Sequence, residues 1–152
     1  MTADQDKSPG IFVRLATIDD AAALAGLSTQ LGYPTSEDDA RRRMAQISGN
    51  PENVVFVVAL PDGRVVGWLH AYLCHLVESD LYAEIGGLVV DQQHRRSGAG
   101  RLLMQHAEHW ARGKSCKTVS LRSNVIREGA HAFYHRLGYE VVKTQSAFRK
   151  VL

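Results

Sequence analysis

The sequence has few of the residues that define disulfide-rich or metal-binding proteins. Of its 152 residues only two are cysteines, Cys74 and Cys116, and their separation fits neither a CxxC motif nor a metal-ligand spacing. We therefore expect two buried free thiols, as in a protein of a reducing cytosol. The seven histidines are not grouped as metal ligands either, so we predict no metal site.

The chain also lacks a charge excess and a long apolar run. It has 18 basic and 16 acidic residues, which gives no bulk electrostatic case for nucleic acid or a membrane surface as a partner. No apolar stretch approaches the ~20 residues that span a bilayer, and the polar start "MTADQDKSPG" is not a secretory signal. We predict a cytoplasmic protein in which any anion site is local.

The sequence contains segments with the hydrophobic pattern of strands, and helical segments that begin and end with capping residues. With 45% hydrophobic residues, the chain suits one globular domain, residues 1–152. Apolar runs and caps predict the order β-α-α-β-β-β-α-β-α-β-β. This is an α/β chain of about seven strands and four helices, with the strands at 11–16, 53–60, 65–76, 82–90, 117–123, 139–144 and 146–152.

A basic, glycine-bearing loop, "HRRSGAGR", precedes the third helix. Gly98 and Gly100 let an oxyanion approach the first-turn N–H groups, and arginines surround them, so the loop is either an anion cradle or a plain solvated turn. A Walker A loop would need Lys-Ser/Thr where Arg101-Leu102 stands. A dinucleotide fingerprint would need a small residue at Leu103.

Arg95-x-x-Gly98-x-Gly100, after "GLVVD" and before "RLL", resembles the Q/R-x-x-G-x-G/A motif of the GCN5-related N-acetyltransferase (GNAT) superfamily. The segment "SNVIREGAHAFYHRLGY" is similar to the family's C-terminal motif, and the element order is the family's order. The resemblance implies a single-domain GNAT fold with a mixed, mostly antiparallel sheet. It also implies acetyl-CoA as co-substrate, and it is compatible with a homodimer formed through the C-terminal strands.

The resemblance also assigns cofactor residues. Leu88, Val89 and Val90 would hydrogen-bond the pantetheine arm like an added strand. The family's pantetheine-binding asparagine corresponds to Arg127, whereas Asn124 lies three residues earlier, so either could contact CoA. The pyrophosphate would be bound by the loop residues Arg95, Arg96, Ser97, Gly98, Ala99, Gly100 and Arg101.

Acetyl transfer from a thioester to an amine needs a base for an ammonium of pKa ~10, an oxyanion donor and an acid for the leaving thiolate. Glu84, eleven residues before Arg95, matches the catalytic glutamate of one family branch; its alternative role is a salt bridge at a strand edge. Alternation of side chains along the strand would place Glu84, Gly86 and Leu88 on one face.

Tyr134 matches the tyrosine that acts as the general acid in the family; its alternative role is packing.

We therefore predict an N-acetyltransferase that transfers the acetyl group to a primary amine by direct attack in a ternary complex. The acceptor is a small molecule or, alternatively, a peptide or protein N-terminus. A catalytically silent acyl-CoA-binding or regulatory module is the alternative from another class. His70, Tyr72 and Tyr33 are weaker candidates for the acceptor pocket, and Arg41–Arg43 is expected to be a solvated helix face.

Overall fold

The structure, a computed structural model, describes residues 10–123 and 128–152, which contain five strands and four α-helices. Contacts divide the chain into two compact units, Met1–Leu121 and Arg122–Leu152. Short 3-10 helices occur at Ile18–Asp20 and Gln92–His94. The main elements are β1 (Phe12–Leu15), α1 (Ala21–Leu31), α2 (Glu37–Ile47), β2 (Asn53–Ala59), β3 (Val65–Cys74), β4 (Tyr82–Val90), α3 (Ala99–Gly113), β5 (Val119–Leu121) and α4 (Glu128–Arg136).

The five strands form one sheet in the order β1-β2-β3-β4-β5. The first three pairings are antiparallel, and β4 and β5 are parallel, so the prediction of a mixed, mostly antiparallel sheet is confirmed. None of the described helices is long and apolar enough to cross a membrane. Both cysteines are free, as predicted, but each is only partly buried.

The prediction of about seven strands, with two at 139–144 and 146–152, is wrong, and so is the element order that contained them. Residues 139–152 form no strand in this structure. Their apolar side chains lie in solvent, Phe148 with 94% of its surface exposed. An alternating pattern shows that residues would fit a half-buried pleated surface, but a strand forms only where a partner completes the ladder.

The two faces of the sheet are covered by different helices. On one face Val57 and Trp68 pack against the cluster of α1 and α2, which includes Leu24 and Met44. On the other face Phe56 meets His106 of α3 edge to face, with ring centroids 5.6 Å apart. Odd-numbered residues of β2 thus face α1 and α2, and even-numbered residues face α3, as the period of two in a strand requires.

An ion pair joins β1 to the start of α1. The two guanidinium nitrogens of Arg14 donate to the two oxygens of Asp20, each at 2.9 Å, and the backbone N–H of Thr17 donates to the same carboxylate at 2.8 Å. Asp20 is only 7% exposed. The hydrogen bonds from Arg14, and less so the one from Thr17, hold the pKa of Asp20 below its usual value against the opposite effect of burial.

We expect Asp20→Asn to lower the free energy of unfolding by about 2 kcal/mol at pH 7, because Arg14 and Thr17 lose a charged acceptor. Since the pKa of Asp20 is lower in the folded than in the unfolded chain, its contribution is complete above about pH 5 and disappears as the pH falls through the folded pKa. Urea unfolding at several pH values measures this. The exposed neighbour variant Asp19→Asn is the control, and a deficit that did not shrink at low pH would contradict the assignment.

Candidate functional site

The ladder between β3 and β4 contains one extra residue, Gly86. His70 pairs with Gly87, whereas its neighbour Ala71 pairs with Ile85, so Gly86 has no partner on β3. Glycines inside a strand are typical of such a bulge or of a close backbone approach. A bulge bends the strand and changes which side chains share a face.

The bulge reverses the predicted alternation of β4. Glu84 lies opposite Tyr72, and Gly87 lies opposite His70, so Glu84 and Gly87 share the face of α1 and α2. The prediction that Glu84 shares a face with Gly86 and Leu88 through simple alternation is therefore wrong for Leu88. The sequence of one strand does not show at which residue the neighbouring strand has no residue opposite it.

Both bulge glycines lie against aromatic side chains of β3. A Cβ at Gly87 would fall 2.6 Å from Cη2 of Trp68, and one at Gly86 would fall 3.2 Å from Cε1 of Tyr72. The first separation is shorter than van der Waals contact allows, so glycine is needed there for the indole to lie over the strand. The backbone is consequently bare at this point of the sheet.

His70 is held beside this bare backbone with a defined tautomer. Its Nε2 donates to Oδ1 of Asn53 at 2.8 Å, which leaves Nδ1 as an acceptor. Nδ1 lies 3.5 Å from the position of a Cβ on Gly86. Burial lowers the pKa of His70, so the ring is neutral at pH 7.

Glu84 lies in the interior of the sheet. It is 7% exposed, and it has strands on both sides, with Tyr72 of β3 and Ser120 of β5 as its paired neighbours. Glu84 therefore does not lie at an edge of the described sheet. A carboxyl group this deeply buried is uncommon outside paired or functional sites.

Strand β5 follows only the first part of β4, pairing with Ala83–Ile85. Among the strands that the structure describes, none pairs with the other edge of Gly86–Val90. The backbone groups of Leu88, Val89 and Val90 on that edge therefore have the geometry to accept an extended ligand as a further strand.

The glycine loop presents several backbone donors together. Arg96 and Gly98 have left-handed backbones, with φ of 63° and 88°, and Gly98 immediately precedes the first residue of α3. In residues 10–123, no hydrogen bond is donated by the backbone N–H of Arg96, Ser97, Gly98, Gly100 or Arg101. Left-handed residues at a helix N-terminus gather such amides into an anion-binding concavity.

The arginines of this loop lie at its surface. Arg95 donates from Nε to the carbonyl oxygen of Val90 at 3.3 Å, which ties the loop back to the end of β4. No salt bridge of Arg95, Arg96 or Arg101 occurs within the described ranges. Ser97 donates to the carbonyl oxygen of His94 at 2.6 Å and accepts from the amide of Ala99 at 3.4 Å.

Tyr134 belongs to the second unit. It is partly buried, with ring centroids 5.1 Å from Phe133 and 6.2 Å from Tyr139. Its carbonyl oxygen accepts from the amides of Leu137 and Tyr139, which closes the helix at Gly138. The two other candidates from this region, Asn124 and Arg127, lie outside the described residues.

A cavity of about 120 Å³ lies between α1, α2 and the sheet. Sequence reasoning listed His70 as a weaker candidate for an acceptor pocket, and His70 lines this cavity. Arg43 and Trp68 were not among the candidates, because Arg43 is one of three consecutive arginines and no motif includes Trp68. The lining residues are Leu24, Ser28, Thr35, Ala40, Arg43, Met44, Ile47, Val55, Trp68 and His70.

Comparison with known proteins identifies the family. The model of the acetyltransferase (GNAT) family matches residues 18–139, most of the chain. The chain belongs to this family and is an N-acetyltransferase. The predicted family membership is thereby confirmed.

Three proteins of known activity or structure are similar to this chain over nearly its whole length. The aminoalkylphosphonate N-acetyltransferase of Salmonella typhimurium is 31% identical over 150 residues, covering 98% of this chain and 95% of the relative. The aminoglycoside N(6')-acetyltransferase type 1 of Klebsiella aerogenes is 28% identical over 97% and 99% of the two chains. AAC(6')-Iy, solved with the bisubstrate analog CoA-S-monomethyl-acetylneamine, has the same fold, with a TM-score of 0.82 at 18% identity, over 93% and 99% of the two chains.

We expect Gly100→Asp to weaken acetyl-CoA binding at least about tenfold, because a carboxylate would repel an anion at the helix N-terminus. Gly100→Ala adds a methyl group without charge at a helical position, so it is the matched control and should retain more of the affinity. Calorimetric titration with acetyl-CoA measures both. Equal affinity of the aspartate variant and the wild-type protein would contradict an anion site in this loop.

Proposed function

We propose that the protein transfers the acetyl group of acetyl-CoA to the primary amine of a small molecule, by direct attack in a ternary complex. The observation that carries this proposal is the juxtaposition of the bulge at Gly86 with an unpaired edge of β4 and with buried Glu84. In this proposal the pantetheine arm pairs with that edge along Leu88–Val90. The amides of Arg96, Ser97, Gly98, Gly100 and Arg101, which donate no hydrogen bond within residues 10–123, suit the pyrophosphate, with Arg95 beside them.

In this proposal Glu84 receives the proton of the acceptor ammonium, directly or through a water. The amine nitrogen then bonds to the thioester carbonyl carbon, and the backbone N–H groups around Gly87 stabilise the oxyanion. The nitrogen of the intermediate releases its second proton to solvent, and collapse of the intermediate breaks the carbon–sulfur bond. His70, with Nδ1 as an acceptor facing Gly86, is a second group at the same bulge that is suited to take the ammonium proton.

Tyr134 is proposed as the acid that returns a proton to the CoA thiolate, after which solvent reprotonates its phenolate. A phenol of pKa ~10 is protonated at neutral pH and is able to donate. Its position in the "AFYHRLGY" segment supports this role. Its ring contacts with Phe133 and Tyr139 would hold the phenol in one orientation.

The acceptor is proposed to be a small amine because the Salmonella and Klebsiella relatives are named for small-molecule acceptors. The cavity beside the bulge supports this, since it is well below the ~300 Å³ of pockets for drug-sized ligands. A peptide N-terminus would need an extended groove. A silent CoA-binding module would not need a buried carboxyl group and a fixed imidazole at the bulge.

The deciding experiment is release of free CoA from acetyl-CoA in the presence of a panel of primary amines and peptides. Turnover with small amines supports the proposal, and turnover with peptides alone would replace it with N-terminal acetylation. Calorimetric binding of acetyl-CoA without turnover on any acceptor would support the silent module instead.

Glu84→Gln should lower turnover most at pH 7, where the amine is largely protonated, and should lower it least near pH 10, where the free amine is abundant. Acetyl-CoA affinity should remain nearly unchanged. The measurement is the pH–rate profile of the variant beside that of His70→Gln, with the exposed Glu78→Gln as control. If Glu84→Gln keeps the wild-type profile and His70→Gln alters it, the base is His70.

Tyr134→Phe should reduce turnover by about 10²-fold or more while leaving the thermal midpoint and acetyl-CoA affinity close to wild type, because only a proton donor is removed. Tyr139→Phe, in ring contact with Tyr134, is the matched control. Wild-type turnover in the Tyr134 variant would assign that side chain to packing alone.

A further inference from the structure

The cavity between α1, α2 and the sheet has an uneven distribution of charge and hydrogen-bonding groups. Most of its lining is aliphatic, and Arg43 is the one lining side chain that carries a full charge at pH 7 within the described ranges. No carboxylate lines it there. By Coulomb's law, a cavity with a single cation favours a ligand carrying a negative charge and disfavours a polycation.

Arg43 differs from the two arginines that precede it. Arg41 pairs with Glu37 at 3.3 Å and Arg42 pairs with Asp39 at 3.0 Å, both on the helix surface. Arg43 forms no salt bridge in the part of the chain that the structure describes; its charge makes only the smallest of the contributions that lower the pKa of Asp39. The expectation of a solvated helix face holds for all three arginines, which are exposed, and Arg43 differs in that it also lines the cavity.

A second donor lies in the same lining. Nε1 of Trp68 is buried and has no hydrogen-bond acceptor among the described residues. The hydroxyls of Ser28 and Thr35, in contrast, already donate to the carbonyl oxygens of Leu24 and Tyr33.

The hydrogen-bond acceptor of the lining is His70. Its Nδ1 has no proton and faces Gly86 at the bulge, where the proposed function places the thioester. An ammonium group is a donor only, so it fits this end of the cavity. The lining thus has an acceptor, His70, next to the bulge and a charged donor, Arg43, among its other polar groups.

We propose that the acceptor is a small primary amine that also carries an oxyanion, a phosphonate or a carboxylate, with the oxyanion bound by Arg43 and the amine directed to His70 and Gly86. The proposal rests on the proposed function and adds the charge of the acceptor to it. A guanidinium is the side chain best matched to a planar or tetrahedral oxyanion. A polycationic aminoglycoside is disfavoured by the same charge.

The test compares two-carbon and three-carbon amines of different charge with the full chain and acetyl-CoA: 2-aminoethylphosphonate, β-alanine, ethanolamine and ethylenediamine, with kanamycin A as a polycation. The readout is kcat/KM from CoA release. We expect at least one of the two oxyanion amines to exceed ethanolamine about tenfold or more in the wild-type protein, and which one does distinguishes phosphonate from carboxylate. A wild-type protein that prefers ethylenediamine or kanamycin A, or that shows no dependence on charge, overturns the inference.

Three variants test whether the preference for oxyanion amines depends on Arg43. Arg43→Gln should reduce the preference for the oxyanion amine over ethanolamine by about 10-fold to 100-fold, the effect of losing one charged hydrogen bond. Arg43→Lys should restore part of it. The matched control is Arg42→Gln, which removes a neighbouring charge that is already paired; an equal loss in that variant would overturn the assignment to Arg43.

Failure of the proposed acetyl transfer can be distinguished from failure of the oxyanion inference. If no amine in the panel releases CoA, the proposed reaction fails, and calorimetric binding of 2-aminoethylphosphonate, β-alanine and ethanolamine to the wild-type protein and Arg43→Gln then decides the charge question alone. Binding of an oxyanion amine that depends on Arg43 sustains the site. Equal binding to both proteins, or none to either, overturns it.

Discussion

The arrangement of the candidate site depends on one unpaired residue, Gly86, in the ladder between β3 and β4. This bulge places Glu84 and Gly87 on the face of α1 and α2, and it brings bare backbone against Trp68 and His70. A regular ladder would have turned the residues after Ile85 to the opposite face, since side chains alternate with a period of two. The acceptor cavity and the unpaired edge of β4 therefore meet at one point.

Backbone and side chains have separate tasks around this point. In the proposed site, backbone amides at the N-terminus of α3 and along β4 bind the pyrophosphate and pantetheine, and the left-handed conformations of Arg96 and Gly98 gather the loop amides. In the proposed site the acceptor end depends on the side chains of Arg43 and His70. Cofactor binding then follows from local backbone geometry, whereas acceptor choice follows from side chains on two elements, α2 and β3.

Much of the fold could be predicted because its signals are local. Ser36 caps α2 by accepting from the amide of Asp39 at 3.0 Å, and Gly32 ends α1 with φ of 109°, as caps and glycines indicate. The absence of C-terminal strands could not be predicted, because Val141 and Phe148 fit a strand pattern but have no neighbouring strand with which to form a ladder. The face of Leu88 was also mispredicted, since the bulge is a property of two paired strands.

The residue pattern alone predicted the four helices, the five strands up to Leu121 and the glycine motif around Gly98 and Gly100, because each depends on neighbours in the chain. The candidates Glu84 and Tyr134 came from the family resemblance. Tertiary packing, in contrast, set which of three consecutive arginines lines a cavity and which nitrogen of His70 accepts, because the cavity forms where α2 packs on the sheet and Asn53 lies on the neighbouring strand. Burial and pairing, unlike spacing, are set by the whole fold.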